Sequence, residues 1–137
     1  MTLSFALQVT EFAKLVKARE DAVLRWVAED ILIGVVRLSP VDTGLFRGNW
    51  QIGINSMPSG TVATVDKGGG PTIAAGESEL KRAKAGDAVH IVNNLPYAQR
   101  LEYGWSKQAP NGMMRITVAR FEAMVAKAAQ RAQAEIN

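Results

Sequence analysis

The apolar positions in the first third of the chain follow the spacing of a long helix. From Thr10 onwards they fall on one side of a helical wheel, with lysine, aspartate and arginine opposite. The stretch from Ile31 to Leu38 is apolar around the whole wheel, which suits a strand or a helix end buried on all sides. The first break is Ser39-Pro40, so we predict one helix of about 40 Å that starts at a Thr10 cap. Its stripe is formed by Phe12, Leu15, Val16, Val23, Trp26 and Val27.

The middle of the chain alternates between apolar and polar residues, a pattern typical of strands. Trp50 to Ile54 alternates with a period of two, and Thr61 to Val65 is also strand-like after the intervening turn. We therefore predict a hairpin from these two runs. Val89 to Val92, which contains the only histidine of the chain, predicts a third strand.

A polar segment from Lys67 to Asp87 separates the hairpin from the third strand. It opens on three glycines and a proline, and a short helix from Ile73 to Lys84 has no apolar periodicity that would place it in a core. A polar, glycine-rich segment of this size is uncommon as a mere connection. We predict that residues 67–87 form a projecting arm that becomes ordered only against a neighbouring chain.

The last third of the chain predicts two further helical regions. Tyr97 to Tyr103 forms two helical turns that end at Gly104. After that, apolar residues recur at alternating spacings of four and three, which predicts a strong amphipathic helix. The predicted fold is α+β: a small antiparallel sheet packed by long N-terminal and C-terminal helices, with the projecting arm. The stripe of the last helix is Met114, Val118, Phe121, Val125, Ala128 and Ala132.

Composition narrows the class of protein. The chain has 137 residues, 47% of them hydrophobic and 21% charged, so we expect a single domain over residues 1–137. It has no cysteine and one histidine, which excludes disulfides, thiolate metal sites and histidine-rich zinc sites. The longest apolar run, Ile31 to Val36, is far shorter than the ~20 residues of a membrane span. With no basic region before the first apolar residues, we expect a soluble protein made in a cytoplasm.

The polar residues form no recognisable catalytic set. His90 lies between apolar neighbours with no nucleophile or carboxylate tied to it by a local motif. Glu77, Glu79 and Asp87 fall in the predicted arm, where a solvated role is the default. The glycines at 68–70 are followed by neither Lys-Ser nor Lys-Thr, so a phosphate cradle is not indicated. We expect no enzyme activity, no cofactor and no metal.

Two clusters suggest contacts with partners. Lys81, Arg82 and Lys84 form the basic cluster of the predicted arm, which suits either a solvated face or a contact to DNA phosphates. The net charge of +3 agrees with proximity to nucleic acid without requiring it. The second cluster consists of Tyr97, Arg100, Tyr103 and Trp105, all within nine positions. Such residues could equally fill a corner of the core or form an interface, where Tyr, Trp and Arg are enriched.

Two blocks of sequence resemble a known family. They run from Ser39 to Trp50 and from Asn93 to Ser106, and the likeness continues through Gln108 to Met113 into the last helix. In the first block we expect Asp42 or Thr43 to satisfy backbone donors of a short helical turn. The order and spacing of the blocks resemble a tail-component family of long-tailed bacteriophages, whose members act in tail completion and head-to-tail joining.

The resemblance implies a structural virion protein. Such a subunit forms a ring in the neck or upper tail that joins the DNA-filled head to the tail and lets DNA pass. The resemblance implies a homo-oligomer, for which we expect six copies, with twelve as the alternative. Its expected neighbours are head-closure, tail-terminator or tail-tube proteins. The location implied is the virion, reached from the host cytoplasm during assembly. Subunit contacts are expected at Trp50, Tyr97, Arg100, Tyr103 and Trp105.

Physical features of the chain agree with parts of this expectation. The all-round apolar stretch from Ile31 to Leu38 is expected to supply surface beyond the subunit's own core. Lys81, Arg82 and Lys84 are the candidate DNA-facing residues, in transient and non-specific contact. A non-specific nucleic-acid-binding module is the alternative, and a hydrolase is a distant third. Neither alternative has a recognisable motif in the sequence.

Overall fold

A computed structural model describes residues 3–8, 20–84 and 86–136, and within them it contains five α-helices, a short 3-10 helix (Arg47–Asn49) and one antiparallel sheet of three strands. The mixture of helices and sheet confirms the predicted α+β class. The strands are β1 (Leu3–Gln8), β2 (Trp50–Ile54) and β3 (Ala88–Asn93). The helices are α1 (Glu20–Leu38), α2 (Gly70–Leu80), α3 (Ala98–Glu102), α4 (Met114–Ala119) and α5 (Phe121–Ile136).

Helix α1 is the centre of the core. It confirms that the stretch from Ile31 to Leu38 is helical, whereas the earlier part of the predicted helix, residues 10–19, lies outside the described residues. The prediction that this stretch leaves apolar surface for a neighbouring subunit is wrong for half of its residues, which the subunit itself covers because α1 contacts α2, α4 and α5. Ile33 and Leu38 are half-buried. The residues of this stretch with no exposed surface are Ile31, Leu32, Val35 and Val36.

The sheet has the order β1-β3-β2, with β3 antiparallel to both neighbours. Asn93 at the end of β3 lies opposite Trp50 on one side and Leu3 on the other. The predicted third strand is therefore the central one. Strand β1 was not predicted, although Leu3 to Gln8 alternates between apolar and polar or small residues.

The predicted hairpin between Trp50–Ile54 and Thr61–Val65 is wrong. Residues 61–65 are exposed and form no strand, and β2 pairs with β3 instead. Residues 61–65 are instead bonded by one side chain. The Asn49 amide donates to the Val62 carbonyl and accepts from the Val62 N–H, both at 2.9 Å. An alternating run indicates an extended backbone but does not say which strand it pairs with.

The predicted projecting arm is also wrong for the segment that carries α2. This helix packs against α1 and β2 and buries Thr72, Gly76 and Leu80. The buried side of α2 is made mostly of small residues, so it shows no apolar stripe in the sequence. A Cβ atom added at Gly76 would lie 2.2 Å from a methyl carbon of Leu32, which shows how closely the two helices approach.

The first turn of α2 is held by Asp66. Its carboxylate accepts hydrogen bonds from the N–H of Gly69 at 2.7 Å, and from the N–H and hydroxyl of Thr72 at 2.9 and 2.6 Å. Burial alone would raise the pKa of Asp66, but these hydrogen bonds and the nearby Arg47 guanidinium hold it below its usual value. Arg47 also donates to the carbonyls of Lys67 and Ser39, so it links this loop to the end of α1.

The predicted C-terminal helix is confirmed, with one interruption. It divides at Arg120 into α4 and α5, and α5 packs along α1. The predicted stripe lies inward, whereas Arg120, Lys127 and Gln130 are exposed. None of the helices described here has the length and apolar content needed to cross a membrane. The buried members of the stripe are Met114, Val125, Ala128 and Ala132.

We predict that Gly76→Ala lowers stability although alanine favours helix. Overpacking against Leu32 costs about 1 to 3 kcal/mol, more than the gain of up to ~1 kcal/mol in helix propensity. Urea unfolding of both variants measures the difference. Gly68→Ala is the control, because a Cβ there meets no atom within 4 Å. A Gly76→Ala protein more stable than the unmodified chain would contradict the packing of α2.

Candidate interaction surface

The two blocks that carry the family resemblance lie against each other. Asn93 donates from its side-chain amide to the Phe46 carbonyl at 2.9 Å. The Gln108 side chain accepts from the Val41 N–H at 2.9 Å and donates to the Val41 carbonyl at 3.0 Å. Side-chain amides therefore join the backbones of distant segments by hydrogen bonds, as backbone groups do between the strands of a sheet. Segments far apart in sequence are joined at one place in the structure.

An open cleft of about 250 Å³ lies between the blocks. Two of its lining residues, Phe46 and Tyr97, have ring centroids 6.0 Å apart. The hydroxyl of a third, Thr43, accepts from the Leu45 N–H at 3.1 Å, so Thr43 satisfies a backbone donor in this turn. The other lining residues are Pro40, Val41, Asp42, Gly44, Leu101, Ser106 and Gln108.

Trp50 does not belong to an exposed surface. Only 4% of it is exposed, and its ring lies edge-on to Phe46 with centroids 6.0 Å apart. The indole N–H donates to the Ser39 hydroxyl at 2.7 Å, which satisfies the polar atom in the core. The assignment of Trp50 to a subunit interface is therefore wrong, because this side chain is part of the subunit's own core.

The other predicted interface residues are exposed. The exposed fraction is 38% for Tyr97, 69% for Tyr103 and 72% for Trp105. The Arg100 guanidinium lies 4.8 Å from the centroid of the Trp105 ring, and that of Arg115 lies 4.6 Å from the Tyr103 ring. These five residues define the aromatic–arginine patch. Arg115 was not predicted, since only folding brings the start of α4 to this place.

Glu102 fixes the turn that presents the patch. Although only 2% exposed, its carboxylate accepts from the N–H groups of Met113, Met114 and Arg115 at 3.0, 2.7 and 2.9 Å. The Arg115 Nε donates to the same group at 3.0 Å. Burial would raise the pKa of Glu102, but these hydrogen bonds hold it below its usual value. The carboxylate thus satisfies the free N–H groups at the start of α4.

Gly104 allows the chain to turn between Tyr103 and Trp105. Its φ of +92° is a conformation that L side chains rarely adopt. A Cβ at this position would also lie 2.6 Å from the Pro110 carbonyl oxygen. Tyr103 and Trp105, both largely exposed, therefore stand on either side of a turn that is set by backbone geometry.

The predicted DNA-facing residues follow α2 and are exposed. Arg82 is paired with Glu79, one turn earlier in the chain. The Asp87 carboxylate accepts from the Lys84 N–H at 2.8 Å and from the Asn55 amide at 2.9 Å. These contacts hold the pKa of Asp87 below its usual value, so a negative charge stands beside Lys84. The cluster is therefore partly neutralised, with Lys81 as its third cation.

The described residues show no arrangement that points to a metal or to catalysis. In ranges 3–8, 20–84 and 86–136, no three acidic or histidine side chains are placed to hold a metal ion. The Nδ1 atom of His90 is buried with no hydrogen-bond partner among these residues. Within the part of the chain that the structure describes, no nucleophile or carboxylate is hydrogen-bonded to that ring. The most distinctive exposed feature is therefore the aromatic–arginine patch.

Comparison of the chain with protein-family models, with curated proteins and with solved structures finds no match. A proposal for the function of this chain therefore has to be argued from the geometry of its residues and from the resemblance of its two blocks.

We predict that Glu102→Gln lowers the free energy of unfolding by about 3 kcal/mol at pH 7, since it weakens hydrogen bonds to a buried charge. A lowered pKa stabilises the fold above the ordinary carboxyl value of 4.5, and this contribution is lost as pH falls below it. The difference from the unmodified chain should therefore shrink in acid. Denaturant unfolding from pH 7 to pH 3 measures it.

The control for this prediction is Glu122→Gln, which changes an exposed glutamate near the start of α5. We expect it to alter stability by less than about 0.5 kcal/mol. A loss in Glu102→Gln that stayed constant with pH would show that the carboxylate charge does not hold this turn.

Proposed function

We propose that this chain is a structural protein of the neck or upper tail of a long-tailed bacteriophage. Copies of it form a ring that joins the DNA-filled head to the tail and leaves a passage for DNA. The observation that carries the proposal is the aromatic–arginine patch, which presents Tyr103 and Trp105 to solvent from a fixed turn. The resemblance of the two blocks that build the cleft and the patch supplies the biological setting.

The patch has the properties of a protein contact. Tyr, Trp and Arg are the residues that most often dominate binding energy at interfaces. Glu102 and Gly104 hold the turn in one conformation, so little conformational entropy is lost when a partner binds. The core of the subunit is complete without these side chains, since Tyr103 and Trp105 are largely exposed. Burying these two side chains against a partner would therefore contribute favourable free energy to assembly.

The proposed partners are copies of the same chain, followed by neighbouring head-closure, tail-terminator or tail-tube proteins. The proposed location is the virion, with assembly in the host cytoplasm. A subunit with this role acts by shape and contact, and the proposal assigns it no reaction and no cofactor. A ring of six copies is the count that the resemblance favours.

We predict that Trp105→Ser and Tyr103→Ser each reduce self-assembly by at least about tenfold in the concentration needed for half-assembly, because each removes a central aromatic contact. Light scattering coupled to size exclusion gives the mass at each concentration. Thermal stability should fall little, since both side chains are mostly exposed.

Met57→Ser is the matched control, because Met57 is 50% exposed in the loop after β2. It should assemble like the unmodified chain. If Trp105→Ser and Tyr103→Ser assembled as well as Met57→Ser, the patch would not be the subunit contact and the proposal would lose its main support.

The basic cluster leads to a separate prediction about DNA. A ring that lets the genome pass should bind it weakly, with dissociation constants on the order of 10⁻⁴ to 10⁻⁶ M at physiological salt, and without sequence preference. The double variant Lys81→Glu/Lys84→Glu should bind still more weakly. Titration with two unrelated duplexes at two salt concentrations measures both effects.

The control for the DNA prediction is Lys67→Glu/Arg120→Glu, which makes the same change of net charge at other exposed positions. It should weaken binding less than the change in the basic cluster. Nanomolar affinity that distinguishes the two duplexes would contradict the ring and favour the alternative, a nucleic-acid-binding module.

A further inference from the structure

Both outer edges of the sheet lack a strand partner. The order is β1-β3-β2, and within residues 3–8, 20–84 and 86–136 no strand pairs with the far side of β1 or of β2. Natural proteins commonly protect such edges with a charged residue or a proline. Neither strand contains one, since β1 reads LSFALQ and β2 reads WQIGI. The two edges are therefore suited to pairing with another chain.

The register of the sheet shows which backbone groups face these edges. The Asn55 N–H donates to the Ala88 carbonyl at 2.7 Å, which continues the pairing of β2 with β3. Because every second residue of an antiparallel pair bonds to its partner strand, Ile52 directs its N–H and carbonyl away from β3. By the same alternation Val92 bonds to β2, so Ser4, which lies opposite Val92, directs its N–H and carbonyl away from β3 as well.

The outer edge of β2 adjoins a groove that has room for a strand. The groove has a volume of about 280 Å³ and is lined by β2, by α2 and by Val62 and Thr64. The lining residues of α2 are mostly small, and they include Pro71, Ala75 and Gly76. Small residues at this place leave space for the side chains of an added strand.

The symmetry of a ring decides which edges can meet. A two-fold dimer can pair one edge with itself, but each subunit of a closed ring of more copies uses two different surfaces. The outer edges of β1 and β2 are different and lie on opposite sides of one sheet. The strands have similar lengths, six and five residues, and run in the same direction because both are antiparallel to β3. Neighbouring copies in a ring can therefore pair β1 with β2 in parallel.

We propose that β1 of one copy pairs with the outer edge of β2 of the next copy, as an added parallel strand. This assignment rests on the proposed ring, and it adds backbone hydrogen bonds to the contact made by the aromatic–arginine patch. Each subunit contributes both edges, one to each neighbour. The three-stranded sheets thereby join into one continuous sheet around the ring.

Cysteine cross-linking tests the pairing, since the natural chain contains no cysteine. Ser4 and Gln51 are suitable positions because both lie opposite Val92 and so share a face of the sheet. The variants Ser4→Cys and Gln51→Cys are prepared separately, mixed in equal amounts and treated with a short bismaleimide. We expect a covalent dimer that contains one copy of each variant, measured by intact mass. Each variant alone should stay monomeric after denaturation.

A proline in β1 tests the backbone bonds themselves. The Ser4 N–H points away from β3, so Ser4→Pro removes a donor from the outer edge and leaves the bonds between β1 and β3 in place. This variant should need at least about tenfold more protein for half-assembly, since the proline ring also hinders the approach of the neighbouring strand. Ser4→Ala is the matched control and should assemble like the unmodified chain. Both should keep the native melting curve.

The outcomes separate the pairing from the ring itself. If the unmodified chain forms a ring, but the mixture yields no covalent dimer or Ser4→Pro assembles normally, the pairing is overturned and the ring stands. Covalent dimers formed by either cysteine variant alone would show an edge paired with itself, which also overturns the pairing. An unmodified chain that is monomeric at every concentration would overturn the ring, and the pairing with it.

Discussion

The buried carboxylate of Glu102 is the interaction on which the exposed surface depends. It lies at the end of α3 and accepts three backbone N–H groups at the start of α4, so it fixes both ends of the intervening turn. A buried charge is tolerated only when it is fully hydrogen-bonded, and here the N-terminal end of a helix supplies the donors. Arg115, bonded to the same carboxylate, places its guanidinium on Tyr103. The Glu102 carboxylate thus satisfies buried backbone groups and also positions Arg115, a residue of the patch.

Side chains also bond to backbone groups at other places in the described residues. Asp66 bonds the first turn of α2, Asn49 pairs with Val62, and Gln108 pairs with Val41. Each of these side chains satisfies backbone groups that no strand or helix satisfies. The small sheet and its helices are therefore held in place by polar side chains in the loops.

The sequence was informative where the burial pattern is local. The stripe from Met114 to Ala132 and the all-apolar end of α1 predicted helices that the structure contains. It failed where contacts are made by small or polar groups. The fit of Gly76 against Leu32 gives no hydrophobic signal, so the sequence predicts an arm where the structure contains a packed helix. Trp50 and Trp105 look equally suited to an interface, and only folding buries one and exposes the other.

The most direct measurement is a reconstruction of the intact particle with this chain traced. It reports the place of the subunit, the number of copies and the surroundings of every patch residue together. The account predicts a closed ring between head and tail in which the Trp105 side chain, 72% exposed in the single chain, is buried against the next copy. A ring in which Trp105 faces solvent, or a particle that lacks this chain, would contradict the account.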